Sequence, residues 1–293
     1  MSSKKKGQET LEKRYSFWGD TWHRLCKNKL AMLGLAILVL LVLCAVFADL
    51  IAPYDYAKQD LMIARQGPGA EHLFGTDEYG RDIFSRVIYG SRISLTVGFI
   101  AVGISLVVGG LLGAIAGYYG GRTDNGIMRL MDVIMSIPSI LLAISIVAAL
   151  GPGLINLMIA TGISYVPSYA RIVRASILSI KDQEFVEAAR AVGTNDFKII
   201  VRHILPNCMA PIIVQATVGV ALAILTAAGL SFIGLGLEPP TPEWGAMLSS
   251  GRDFIRDDPH MTMFPGIAIA VTIFALNVLG DGLRDALDPK LRG

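Results

Sequence analysis

Long uncharged runs alternate with short polar stretches along this chain, and run length decides what each can be. Residues 30–48 hold 19 positions without a charge, enough to cross a membrane as a helix and longer than the apolar core of a secretory leader. This first membrane helix, taken over 30–51, is therefore expected to stay in the mature chain. Residues 93–121 give a second run of 29, in which Gly109, Gly113 and Gly117 recur every four positions and permit close packing of another helix. The uncharged run 133–170 is 38 residues long, two spans rather than one, with Gly151, Pro152 and Gly153 as the hairpin between them. Pro138 and Pro167 should bend these two helices, a packing adjustment in the first instance. Runs over 211–237 and 261–280 complete a set of six. The expected fold is all-α, a polytopic membrane protein with a five-helix core over 93–285.

The polar stretches divide the rest. Residues 1–29 read as a tail, with a short interfacial helix around Phe17, Trp18 and Trp22, whose rings favour the headgroup region. Residues 52–92 form an outer segment, where Ile83, Phe84, Val87 and Ile88 recur opposite Asp82, Ser85 and Arg86 and predict an amphipathic surface helix. Residues 238–260, rich in proline, read as an outer loop, and 286–293 as a second tail. Of the 26 Lys and Arg residues, 19 fall on the side of the two termini and 7 on the other, so the positive-inside rule puts both termini in the cytoplasm. A content of 53% hydrophobic and 17% charged residues agrees with a membrane protein, and no nucleic-acid partner is expected.

The remaining polar stretch, 182–206, is a helix-forming island on that same cytoplasmic side. Asp182 can cap a first helix, Gly193 stops it, Thr194 can cap a second, and Pro206 ends it. Phe185, Val186, Ala188, Ala189 and Val192 make one side apolar, while Glu184, Glu187 and Arg190 face water. Such a surface suits insertion into a groove on another protein, and equally suits a loop that only caps the bundle.

Glu187, Ala188 and Ala189, followed by Gly193 and a Leu205-Pro206 pair, resemble the EAA loop of membrane subunits of bacterial ABC importers. The pattern usually has isoleucine where this chain has His203, with Ile204 adjacent. GTDEYGRDIFSRVIYGSRISLTVG from Gly75, PPTPEWGAML from Pro239 and GDGLRDALDPK from Gly280 resemble the C-type permease of dipeptide, oligopeptide and nickel importers, a likeness running from about residue 15 to the end. The resemblance implies a binding-protein-dependent importer in which this chain and a second, related permease form the pathway within membrane lipid. It also implies two cytoplasmic ATPase subunits that carry ATP and Mg, an external solute-binding protein, and Glu187, Ala188, Ala189, Gly193, Leu205 and Pro206 as the ATPase-coupling loop. Short peptides are the implied solute, with nickel or a peptide-like solute such as glutathione as alternatives.

Independent of that likeness, the chain has no GxxxxGK[ST] loop and not one Gly-Lys dipeptide, so it cannot cradle nucleotide phosphates in the P-loop manner. Neither a catalytic constellation nor a cofactor site is expected on it. An ion-coupled transporter is the alternative class: the six spans lack the intramembrane Asp, Glu, Lys, Arg or His that proton relay uses, while sodium held by backbone carbonyls stays open. A passive channel would need rings of charge or a filter, and neither is visible. Cys26, Cys44 and Cys208 have no metal-ligand spacing, and His23, His72, His203 and His260 are read as structural or surface residues. Arg284 between Asp281 and Asp288 allows helix-end ion pairs, either solvated or in contact with an ATPase. No residue announces a substrate pocket.

Overall fold

The computed structural model describes residues 17–288, so the expectations placed on 1–16 and 289–293 lie outside the described residues. Twelve α-helices follow one another, with no strand among the described residues. Helix α1 (Phe17–Lys27) packs Leu25 against Ala31 and Ala286, and leads through the Asn28 cap into α2 (Lys29–Val46) and the single turn α3 (Ala48–Ile51). Asn28 caps because its side-chain oxygen accepts from the Ala31 N–H, one of four amides that a helix start leaves without a partner.

The amphipathic surface helix expected over 83–88 is instead the opening of α4 (Ile83–Tyr119). At 37 residues this helix is about 55 Å long, well beyond the ~30 Å hydrocarbon layer, so its first turns stand outside it. Nor do those turns turn a polar face to water. Ser85 and Arg86 are buried, and Asp82 caps the helix by accepting from the Ser85 N–H.

Helix α5 (Gly121–Met135) and α6 (Ser139–Leu150) meet at 85°, so Pro138 marks a break rather than the packing adjustment expected of it. Proline lacks the N–H that would continue the helix and pushes the residue before it out of the helical region. Pro167, by contrast, lies within an unbroken α7 (Leu154–Leu178). Helix α8 (Glu184–Ala191) and the turn α9 (Asp196–Lys198) form the island. Pro206 does not end the second island helix. A π-helical stretch, Ile199–Ile204, joins α9 directly to α10 (Leu205–Phe232), and Pro206 sits in the first turn of α10, where a missing donor costs least. The chain closes with α11 (Trp244–Gly251) and α12 (His260–Leu287).

Among the described residues, four helical stretches are long and apolar enough to cross a membrane: α2, α4, the run 196–232 and α12; the bent α5–α6 pair makes a fifth if it is one span. The remaining expected span, the second half of the uncharged run 133–170, falls on α7, which carries Arg171 and Arg174 near its end and is less apolar. Helices α4, α7 and α10 form the centre, with Ala101, Tyr169 and Ile224 in one buried cluster. Ser105 links α4 to α7 by donating to the Gly162 carbonyl at 2.7 Å. The ends of the bundle differ in character. One gathers α1, the C-terminus of α4, the island and the last turns of α12; the other gathers residues 52–82, the start of α4 and α11.

Candidate functional site

Gly193 has φ +78°, the left-handed conformation that glycine adopts without a Cβ penalty, and its N–H returns to the Arg190 carbonyl. Space around it is open, so the backbone angle, and not crowding, selects glycine there. The caps differ from those expected. Gln183 occupies the N-cap position of α8 without a capping hydrogen bond from its side chain, and Asn195 rather than Thr194 caps the second turn by accepting from Lys198 N–H at 2.9 Å. Each lies one position later than Asp182 and Thr194, because the helices begin one residue later. Glu184 and Glu187 stand in the first turn of α8, where negative charge meets the positive end of the helix dipole.

The island's apolar residues do not share one face. Val186 and Ala189 are buried with Tyr118, Ile199, Ile204 and Cys208, so the inner side of α8 is fastened to the ends of α4 and α10. Tyr118 adds a hydrogen bond to the Asp196 carboxylate at 2.8 Å, and the Arg190 guanidinium lies over the Tyr118 ring. Val192 and Phe197 point outward, 80% and 73% exposed, alongside Phe185 and Val201. Glu187, Ala188 and Pro206 are exposed, Leu205 is half-buried, and Ala189 is buried. A rigid base with an uncovered apolar patch is suited to transmit force from a bound partner, since its inner face cannot slip independently of α4 and α10.

On α4, Gly109, Gly113 and Gly117 lie against α7, where a Cβ would press on Val166, Ala170 and Arg174 backbone respectively. Two ion pairs extend the seam: Arg174 grips Asp124 with two hydrogen bonds, and Arg171 meets Asp132 at 2.5 Å. They fasten α5 to α7 just before the break at Pro138.

The opposite end holds a polar network that residue patterning did not disclose. His72 meets Asp82 at 2.8 Å, Arg81 meets Asp77 at 2.6 Å, and Arg86 donates to the carbonyls of Tyr56 and Pro240. The expected outer loop 238–260 is partly inserted into the bundle. Trp244 is fully buried and donates from its indole to the Val87 carbonyl, and Glu243 is 2% exposed. Glu243 accepts from Gly245 and Ala246 N–H, yet burial pushes its carboxyl above the ordinary range. Burial likewise raises Glu78. His72 and His260 are structural, the latter facing the Thr76 carbonyl. The available signal was the proximity of charges in GTDEYGRD and PPTPEW to helix starts, which patterning assigns to solvent.

Residues 109–293 match the model of the binding-protein-dependent transport system inner membrane component, and residues 16–68 match that of the N-terminal TM domain of oligopeptide transport permease C. The dipeptide transport system permease protein DppC of Alkalihalophilus pseudofirmus is 51% identical over 275 residues, spanning 94% of this chain and 90% of that protein. The di/tripeptide transport permease DppC of Pseudomonas aeruginosa is 48% identical over 93% of this chain and 92% of its own length. The glutathione transport permease GsiD of Escherichia coli is 48% identical over 94% of this chain and 91% of its own length. Among solved structures, an inward-facing MetNI methionine ABC transporter aligns with a TM-score of 0.57 at 18% identity, covering 69% of this chain and 96% of that one, a likeness of fold.

Proposed function

The chain belongs to the binding-protein-dependent transport system inner membrane component family, and from that premise we infer that it is the permease subunit of an ATP-driven importer of dipeptides and oligopeptides. It is a multi-pass inner-membrane protein that works with ATPase and binding-protein components. The observation that carries the solute is 51% identity to a dipeptide permease along 94% of the chain. Similarity to a glutathione permease keeps that tripeptide as the second reading.

In finer detail, the pathway is built with a second, related permease, and two ATPase subunits bind the island. Six crossings follow if the α5–α6 pair counts as one and α7 as another, with both termini and the island in the cytoplasm. The charge asymmetry of the sequence supports that orientation. The exposed patch of Phe185, Val192 and Phe197 supports the docking role, with Glu187 on its polar edge. ATP binding and hydrolysis then shift the population between inward-open and outward-open states, because the ATPases hold the island differently in each. Reconstituting the chain with its partners and measuring ATP-dependent uptake of dialanine, glutathione and nickel tests the reading. Uptake of nickel alone, or uptake without ATP, overturns it.

A further inference from the structure

One face of the bundle carries polar side chains that bond from one apolar helix to another. The exposed residues of α4 at the depth of Val107, Val108, Leu111 and Ile115 are all apolar, as contact with lipid requires. Between α7 and α10 the surface is different. Tyr165 and Thr226 are half-buried there and bonded to each other at 2.8 Å, and Tyr165 also reaches the Leu222 carbonyl. Leu222 and Gln215 precede Thr226 by one and three turns on the same face of α10, and Ile172 follows Tyr165 by two turns on α7. The furrow therefore continues toward the island end. There it opens into a cavity of about 350 Å³ whose lining includes Ile172, Pro211, Val214, Gln215, and the opposite charges of Arg284 and Asp288.

A half-buried Tyr–Thr pair followed along the same face by the half-buried Gln215 amide is a costly surface against lipid, even with the two hydroxyls bonded to each other, and suits contact with water or a polar solute. From this we propose that the α7–α10 furrow is the wall this chain contributes to the translocation path, with solute passing from Tyr165 and Thr226 to Gln215 and out beside Arg284. The proposal rests on the importer reading and adds the path to it. Its chemistry suits a peptide. Tyr165, Thr226 and Gln215 offer donors and acceptors without net charge, matching main-chain amides, and Arg284 and Asp288 at the cavity present one charge of each sign, as the carboxylate and ammonium ends of a peptide do. Weak, exchangeable contacts of this kind also let the solute leave.

The test uses the assembled transporter with Cys26, Cys44 and Cys208 replaced by serine, carrying Thr226→Cys, Gln215→Cys or Val107→Cys. A cationic methanethiosulfonate should modify the first two about tenfold or more faster than the third, because an ionised reagent does not enter lipid. Dialanine together with its binding protein should slow the reaction at Thr226→Cys. Labelling of Thr226→Cys and Gln215→Cys as slow as that of Val107→Cys, in complexes of normal yield, overturns the proposal, since the furrow would then face lipid or lie sealed against the second permease. Fast labelling in a complex whose unsubstituted form takes up no dialanine supports the furrow and counts against the peptide reading alone.

Discussion

Gly109 and Gly110 are adjacent on α4, and exchanging each for alanine isolates the steric demand of the α4–α7 seam. A Cβ on Gly109 would stand 2.5 Å from the Val166 carbonyl oxygen, 2.9 Å from Tyr169 Cβ and 3.0 Å from Ala170 N, all parts of α7 that no rotamer change can move. A Cβ on Gly110 would meet nothing within 4 Å. Relaxing the first contact to an ordinary C···O separation of about 3.3 Å requires the helices to part by nearly ~1 Å. Over-packing of this order costs about 1–3 kcal/mol. Both substitutions share the gain of about 0.8–1.0 kcal/mol from replacing glycine by alanine in a helix. That term cancels in the comparison, so Gly109→Ala should be less stable than Gly110→Ala by the steric term alone. Unfolding of the purified complex by graded addition of denaturing detergent measures the difference. Equal midpoints for the two variants would refute the argument, because they would show that the seam has slack the structure does not display.

The other expectations concern the two ends of the bundle. Gly193→Val places a β-branched residue at φ +78°, a conformation costing roughly 1–2 kcal/mol outside glycine, and should lower ATPase co-purification and uptake while membrane insertion persists; Gly193→Asn should retain most of both. Glu187→Ala removes an exposed charge and should reduce ATP-coupled uptake with little change in thermal stability; wild-type coupling in that variant would make the island a mere cap. A cysteine at Asp253, whose side chain is 77% exposed, should react with an impermeant thiol reagent from outside sealed cells, and one at Asn195 should not. Glu243 has its folded-state pKa raised by burial, so its protonated form contributes stability below the ordinary carboxyl range, and that contribution is lost as pH rises through the raised value. Glu243→Gln should flatten this fall in a melting profile from acid to neutral pH; an unchanged profile would assign the dependence elsewhere.

Much of the membrane architecture could be read from residues alone, because uncharged length is a direct consequence of hydrocarbon thickness. The turn at Gly193 and the facing glycines of α4 were legible for a similar reason: each needs a missing Cβ. Charge, however, was a poor guide to where helices begin. Arg92 lies within α4 and donates to the Ala45 and Val46 carbonyls, closing the end of α2, so a charged residue marks a helix junction and not a boundary of structure. Arg86 is satisfied in the same way by carbonyls 30 and 154 residues away, which no local pattern can reveal. Trp244 and Glu243 were assigned to solvent because prolines and charges flank them, whereas Glu243 satisfies the first amides of α11 and so makes that helix start fit to be buried.

The island's second half was also misjudged, and the reason bears on coupling. Pro206 suggests a stop, but the π-helical turn before it accommodates the missing donor and leaves 196–232 helical throughout, about 55 Å from the island to the end beside α11. The face of α10 that carries Gln215 and Thr226 is thus continuous with the segment bearing Phe197. Under the proposed docking, a tilt imposed at Phe197 carries the furrow wall with it, with no intervening loop to absorb the motion. Because Ala228 and Leu230 near the far end of α10 are buried, the outer part of the helix resists displacement, and the wall should pivot there. The inner cavity beside Arg284 would then change most in width, and Gln215→Cys should show a larger nucleotide-dependent change in labelling rate than Thr226→Cys. A larger change at Thr226→Cys would place the pivot at the island end and refute the lever.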